Sequence, residues 1–334
     1  MASGSSLVRF GNDLYTGTRS VAFVPKRRLW YIISALVLLV CVVVPILRGG
    51  FVFGIEFRGG SEFRVSEPVI VEPSLAVDAV HEVLEETNAQ ATVIGGSSIR
   101  VQTEQLSETQ TQEVRELLAA AYDVEVEQVT ASFIGPTWGA DVSRQAIISL
   151  IVFVLLAAVF MAIYFRTWKM SFAALAKLLH DLVITVGIYG VFGFEITPAA
   201  VIGFLTILGY SLYDTVIVFD KVRENTAEDS GSTVRTFAES VNLGVNQTLV
   251  RSINTGVIAI LPVAAILWIG AGVLGAGTLL DIALALFVGI LVGTYSTIFI
   301  AAPLYSQLRE GEKPIKEHAE RVLAARALAR ETAG

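Results

Sequence analysis

Asp181, Asp214, Lys177, His180 and Arg251 lie inside or at the mouths of long apolar runs. An Asp, Lys or Arg at the centre of a membrane helix costs about 2.5–3.5 kcal/mol on insertion scales, so each such residue signals either chemistry or an internal partner. Asp214 falls within the run Ala199–Phe219, one third of the way back from one end. It fits reversible proton uptake or a structural hydrogen bond to a neighbouring helix. Arg251 stands at the entry of Ile253–Ile269. It fits control of a nearby carboxylate's charge, since a guanidinium stays protonated throughout, or snorkelling to lipid phosphate. Asp181 is near the middle of Phe172–Phe192, and Lys177 lies four residues earlier on the same helical face. That spacing supports an ion pair or a place in proton transfer. His180 is expected to point elsewhere on the helix, as a relay group or a satisfied interior histidine. Asp220 and Arg223 read as interfacial, and Asp281 as favouring the N-terminus of its own helix.

These residues need six apolar segments to hold them: Leu29–Leu47, Ala146–Phe165, Phe172–Phe192, Ala199–Phe219, Ile253–Ile269 and Leu279–Ala302. A span needs roughly 20 apolar residues. The composition, 54% hydrophobic and 16% charged, agrees with a polytopic membrane protein rather than a soluble enzyme. One span stands alone, a polar segment intervenes, and five follow. Lys26, Arg27 and Arg28 before the first run resemble a signal-peptide n-region. The run is too long for an h-region and lacks an A-x-A-like site, so it reads as an uncleaved transmembrane helix.

Arg48 to Val142 carries five basic residues, all Arg, against 16 acidic ones, leaving 19 of the 24 basic and 15 of the 31 acidic residues elsewhere. Lys and Arg stay cytoplasmic, so both termini are expected inside and the acidic segment outside. The expected organisation is a cytoplasmic segment at 1–28, helix one at 29–47, an extracytoplasmic α+β domain at 48–142, a five-helix bundle at 143–303 with a cytoplasmic loop at 221–248, and a cytoplasmic tail at 304–334. In the outer domain, Ser61–Ser66, Ala91–Ile94, Ser98–Thr103 and Val124–Ile134 pattern as strands, and Leu75–Glu86 and Ser107–Ala121 as helices. Gly95-Gly96-Ser97 forms the turn between the middle strands, and Ser107 the N-cap of the second helix. The order βαββαβ predicts a ferredoxin-like sandwich, a fold that names no function. In the inner loop, Val234, Phe237, Val241 and Val245 recur at helical spacing, which predicts an amphipathic helix on the membrane surface.

Cys41, the one cysteine, excludes an intrachain disulfide and reads as an apolar filler. No Walker-type phosphate loop, zinc-ligand spacing or nucleophile elbow is present. Gly54, Gly59 and Gly60 suit backbone geometry at a membrane exit rather than a phosphate cradle. Neither an enzyme nor a nucleic-acid binder is expected.

Six segments together resemble the SecF family, the smaller half of the bacterial SecD–SecF complex in the resistance-nodulation-division superfamily. They are Phe53–Gly60 (FGIEFRGG), Ile134–Gly139 (IGPTWG), the His180-Asp181 pair, Gly209–Asn225 (GYSLYDTVIVFDKVREN), Asn246–Thr255 (NQTLVRSINT) and Val292–Pro303 (VGTYSTIFIAAP). Tyr213 stands where the family usually has Asn, and Gly256 where Ser is common. The resemblance implies a proton-motive-force-driven part of the Sec export machinery of the cytoplasmic membrane, acting late in preprotein translocation. It needs no cofactor beyond the proton gradient. Implied partners are SecD, the SecYEG translocon, a YajC-like subunit and unfolded preprotein. Asp214, Arg251 and Asp181 would couple proton movement, supported by Lys177, His180, Tyr210, Ser211, Thr215, Asn246 and Thr255. A lone bundle is expected to cover Lys177, Asp181 and Asp214 poorly, so that a second half buries them. The alternatives are another half-transporter of the superfamily, moving lipid or small molecules, and a non-transporting assembly factor.

Overall fold

A computed structural model describes residues 6–84, 89–94, 98–269 and 277–333. Among the described residues, six helices are long and apolar enough to cross a bilayer. They are α2 (Arg27–Leu47), α6 (Pro136–Phe165), α7 (Trp168–Phe192), α8 (Pro198–Asp229), α9 (Phe237–Ile269) and a last span built from α10 (Gly277–Ser296), a π-helical turn (Thr297–Ala301) and α11 (Ala302–Glu310). Prolines open α6 and α8, where the missing N–H is not needed. Gly193 closes α7 in the left-handed region, where glycine carries no Cβ penalty. About half of the apolar window of α7, α8 and the last span is buried, against 11–17% for α2, α6 and α9. The first three are thus the inner helices. Small residues let α8 and α10 approach closely: a Cβ on Gly289 would lie 2.5 Å from Ile207 Cγ1, and Gly203 faces Ala285.

Between α2 and α6, after the single-turn α3 (Ile55–Arg58), lie β1 (Gly60–Ser66), α4 (Pro73–Val83), β2 (Gln90–Ile94), β3 (Ser98–Thr103), α5 (Glu108–Tyr122) and β4 (Val129–Ile134). The sheet order is β2-β3-β1-β4 with every pair antiparallel, the ferredoxin-like arrangement. Side chains alternate across the sheet. Phe63, Val65, Ile99 and Val101 face α4 and α5 in a closed apolar core. Glu62 and Arg64 of β1, opposite Gln102 and Arg100 of β3, occupy the other face. Ser107 caps α5 in a reciprocal box with Gln110. The last strand is shorter than its apolar pattern, because Val126–Gln128 form a 3₁₀ turn. The expected turn at Gly95-Gly96-Ser97, and the end of the expected helix at 85–86, lie outside the described residues.

The inner loop differs from its sequence reading. Helix α8 continues to Asp229 and α9 starts at Phe237, so the connection is short and no separate surface helix forms. Phe237, Val241 and Val245 are the inner stripe of α9, packed with Val218, Phe219, Val222 and Tyr305 rather than against lipid. Helices of 32 and 33 residues measure about 50 Å, well beyond the ~30 Å apolar thickness, so their ends pack on each other outside the membrane. Helix α1 (Ser6–Thr16) and the stretch after it lie along α9, whose Asn242 and Asn246 accept from the backbone N–H groups of Phe23, Val24 and Val21. Helix α12 (Lys313–Ala333) returns over the same end, with Arg326 paired to Glu239 at 2.7 Å.

Candidate functional site

Lys177 and Asp181, one turn apart on α7, point into the bundle and are 1% and 3% exposed. Lys177 Nζ lies 2.8 Å from Asp181 Oδ2. Ser211 of α8 donates to the same oxygen at 2.5 Å, and its hydroxyl and carbonyl both contact Lys177 Nζ. Gly293 of α10 leaves the room: a Cβ there would lie 3.3 Å from Ser211 Oγ. His180 is not directed away. Its Nδ1 lies 3.4 Å from Asp181 Oδ1 and its Nε2 is hydrogen-bonded to Ser34 Oγ on α2. Successive positions on a helix are about 100° apart, yet an imidazole reaches across that angle. A polar chain therefore crosses the interior, from Ser34 through His180 and Asp181 to Lys177 and Ser211.

Asp214 is on the next turn of α8 after Ser211 and is 6% exposed. Its Oδ1 accepts from Ser252 of α9 at 2.9 Å, while Oδ2 is buried with no partner. Buried carboxylate oxygens are normally bonded, so the bare oxygen sets Asp214 apart from Asp181. Thr215 is fully buried and returns its hydroxyl to Ser211 O. Tyr210 is partly buried beside Ile207 and Val263.

Arg251 does not meet Asp214 here. It is exposed, and among the described residues it forms no ion pair. It lines an open cavity of about 510 Å³ with Tyr15, Asp220, Lys221 and Glu224. Ser252 occupies the buried side of α9, and Arg251, one step round, takes the outer side. Thr255 is half-buried and donates to Arg251 O. Asn246 holds the N-terminal stretch instead of joining the polar chain. Asp220 accepts from Tyr164 on α6, an interfacial tie. Asp281 does not cap its own helix: its Oδ2 accepts from Thr197, the N-cap of α8. Cys41 is buried against α7, as an apolar filler should be. Among the described residues no cluster of His, Cys, Asp and Glu is arranged to hold a metal.

One further expectation needs correction. The bundle itself buries Lys177, Asp181 and Asp214, so no second half is required to cover them. Sequence reasoning also passed over Ser252, Ser34 and Gly293. The signal for Ser252 was present, because a hydroxyl adjacent to Arg251 falls on the opposite, apolar side of the helix. Nothing in the sequence singles out Ser34.

The family described as protein export membrane protein SecD/SecF, C-terminal, matches residues 113–311. The protein translocase subunit SecF of Streptomyces coelicolor is 44% identical over 326 residues, covering 97% of this chain and 86% of that one. The subunit of the same name from Mycobacterium tuberculosis H37Rv is 41% identical over 95% of this chain and 73% of its own. The crystal structure of SecDF, a translocon-associated membrane protein from Thermus thermophilus, superposes with a TM-score of 0.73 at 29% identity over 87% of this chain. This chain spans 39% of that longer one. With six apolar helices, a ferredoxin-like domain after the first and close relatives matched over most of their length, the chain belongs to the SecF family of protein translocase subunits.

Proposed function

We propose that this chain is the SecF half of a Sec export motor in the cytoplasmic membrane, using the proton motive force to drive late preprotein translocation. The observation that carries the reading is Asp214: a membrane-buried carboxylate with one oxygen held by Ser252 and the other bare. Protonation of the bare oxygen removes a charge from the inner helices, and approach of a cation stabilises that charge again. Arg251, now on the outer side of α9, adjoins Ser252, the residue that bonds Asp214. Swinging it towards and away from Asp214 would set the carboxylate's charge in alternation. The part of that chain on α7 and α8, from His180 to Ser211, lies beside Asp214 and offers a route for the proton.

SecD is the first partner, because relatives such as the SecDF of Thermus thermophilus carry both names in one chain. Exposed apolar faces on α2, α6 and α9 leave room for a homologous half. The SecYEG translocon, a YajC-like subunit and an unfolded preprotein complete the assembly, with both termini cytoplasmic and the ferredoxin-like domain outside. The cofactor is the gradient itself. An assembly factor without transport predicts no proton flow. Co-reconstitution of this chain with its SecD partner and the translocon tests the reading. Export should rise when a proton gradient is imposed and lose that rise when this chain is omitted; equal export in both cases would defeat it.

A further inference from the structure

The outer turn between α7 and α8 is built into the ectodomain. Ile196 N donates to Val52 O at 2.7 Å, and Gly54 N donates to Ile196 O at 2.9 Å. The chain leaving α2 therefore runs as a short parallel pair with this turn, at Phe53 and Ile196. Glu195, the preceding residue, meets the polar face of the sheet. Its Oε2 lies 2.5 Å from Arg100 Nη2, and its Oε1 accepts from Gln102 Nε2 at 2.8 Å. Arg100 and Gln102 are alternate residues of β3, so one face presents both. Gln102 also reaches Glu62 of β1 at 3.2 Å. The Arg100 and Glu195 side chains are 18% and 13% exposed, which removes most of the screening that makes surface pairs weak.

The same turn is fixed to the bundle from below. Thr197 caps α8 and donates to Asp281 of α10. The hairpin closed by this turn carries Lys177 and Asp181 on one arm and Ser211 and Asp214 on the other, and α10 supplies Gly293. A shift of either arm moves Glu195, and Glu195 is bonded to the sheet.

We infer that Arg100, Gln102 and Glu195 form the contact through which movement of the α7–α8 hairpin is passed to the ectodomain, and that the contact stays made through the working cycle. They are positioning residues, and the inference rests on the proton-driven reading above. The local charge balance suits a directional contact. Glu56, Glu62 and Glu195 lie close to the Arg100 guanidinium, and Glu56 Oε2 and Arg100 Nε are buried without partners. Removing Arg100 would therefore leave half-buried carboxylates facing one another, and the sheet would part from the turn.

The test uses the full chain with its SecD partner and translocon in vesicles, measuring proton flow and gradient-driven export separately. Arg100→Glu and Glu195→Arg should each lower gradient-driven export about tenfold, within the usual range of inter-site coupling, while proton flow persists. The double exchange should recover most of the export, since it restores the pair with its polarity reversed. If the unaltered chain shows no gradient dependence, the functional reading fails. If the unaltered chain is gradient-dependent and both single variants match it, the transmission contact fails and the functional reading stands. Failure of the double exchange to recover export would also overturn the contact. Should the reversals not accumulate in the membrane, Arg100→Gln and Glu195→Gln are read on the same two measurements with the same outcomes.

Discussion

Asp214 presents two unlike oxygens, and Asp181 three kinds of partner; that contrast separates their roles. Asp181 is saturated by Lys177, Ser211 and His180, so its charge is held. Lys177→Met should leave it uncompensated and destabilise the protein by roughly 3–5 kcal/mol, whereas Lys177→Met with Asp181→Leu should regain much of that loss. Thermal denaturation in mild detergent measures both; a double variant as unstable as the single one would mean the pair is not what holds this region. The Lys177–Asp181 pair was legible from spacing alone, because i and i+4 share a face. The partner of Asp214 was not. Sequence offered Arg251 as the conspicuous group at the mouth of the apolar run Ile253–Ile269, while the adjacent hydroxyl of Ser252 is what helical geometry turns inward.

The helices explain a second discrepancy. Val234, Phe237, Val241 and Val245 have the periodicity of an amphipathic helix, and periodicity does not say what covers the apolar stripe. Here α9 runs on past the bilayer and its stripe meets α8 and Tyr305, so the cover is protein. The outer domain was more readable, since strand alternation, the Ser107 cap and the βαββαβ order are all local signals. The docking of its polar face on the α7–α8 turn is long-range, and no local pattern encodes it. That junction carries a pH signature. Burial first, then the neighbouring Glu195 and Glu62 charges, push the Glu56 carboxyl above its ordinary 4.5, against the opposing pull of Arg100. The folded junction thus holds this proton to higher pH than the unfolded chain. Its contribution to stability is complete below 4.5 and is lost as pH rises through the raised value. Glu56→Gln should flatten that part of the pH dependence in thermal denaturation at stepped pH. An unchanged profile would place the titration elsewhere.

At the scale of the whole molecule, the asymmetry between an acidic insertion and basic flanks predicts the proposed sidedness, with the insertion outside and both termini inside. In a Cys41→Ala background, a cysteine at Ser97 should react with an impermeant reagent added outside and one at Ser230 only after access from within. The reverse pattern would invert the molecule and the direction of proton flow with it.

The functional reading converges on Asp214, whose Oδ2 is the one carboxylate oxygen among the described residues of the spanning helices that is buried without a partner. Asp214→Asn keeps the size of the side chain and its contact with Ser252 but cannot cycle between charged and neutral forms. The decisive measurement is gradient-driven late translocation in inverted membrane vesicles carrying Asp214→Asn, with ATP-driven early translocation and SecD association followed in the same preparation. The proton-driven phase should vanish while the other two persist. Full proton-driven translocation by the variant would contradict the account and move the proton site to Asp181.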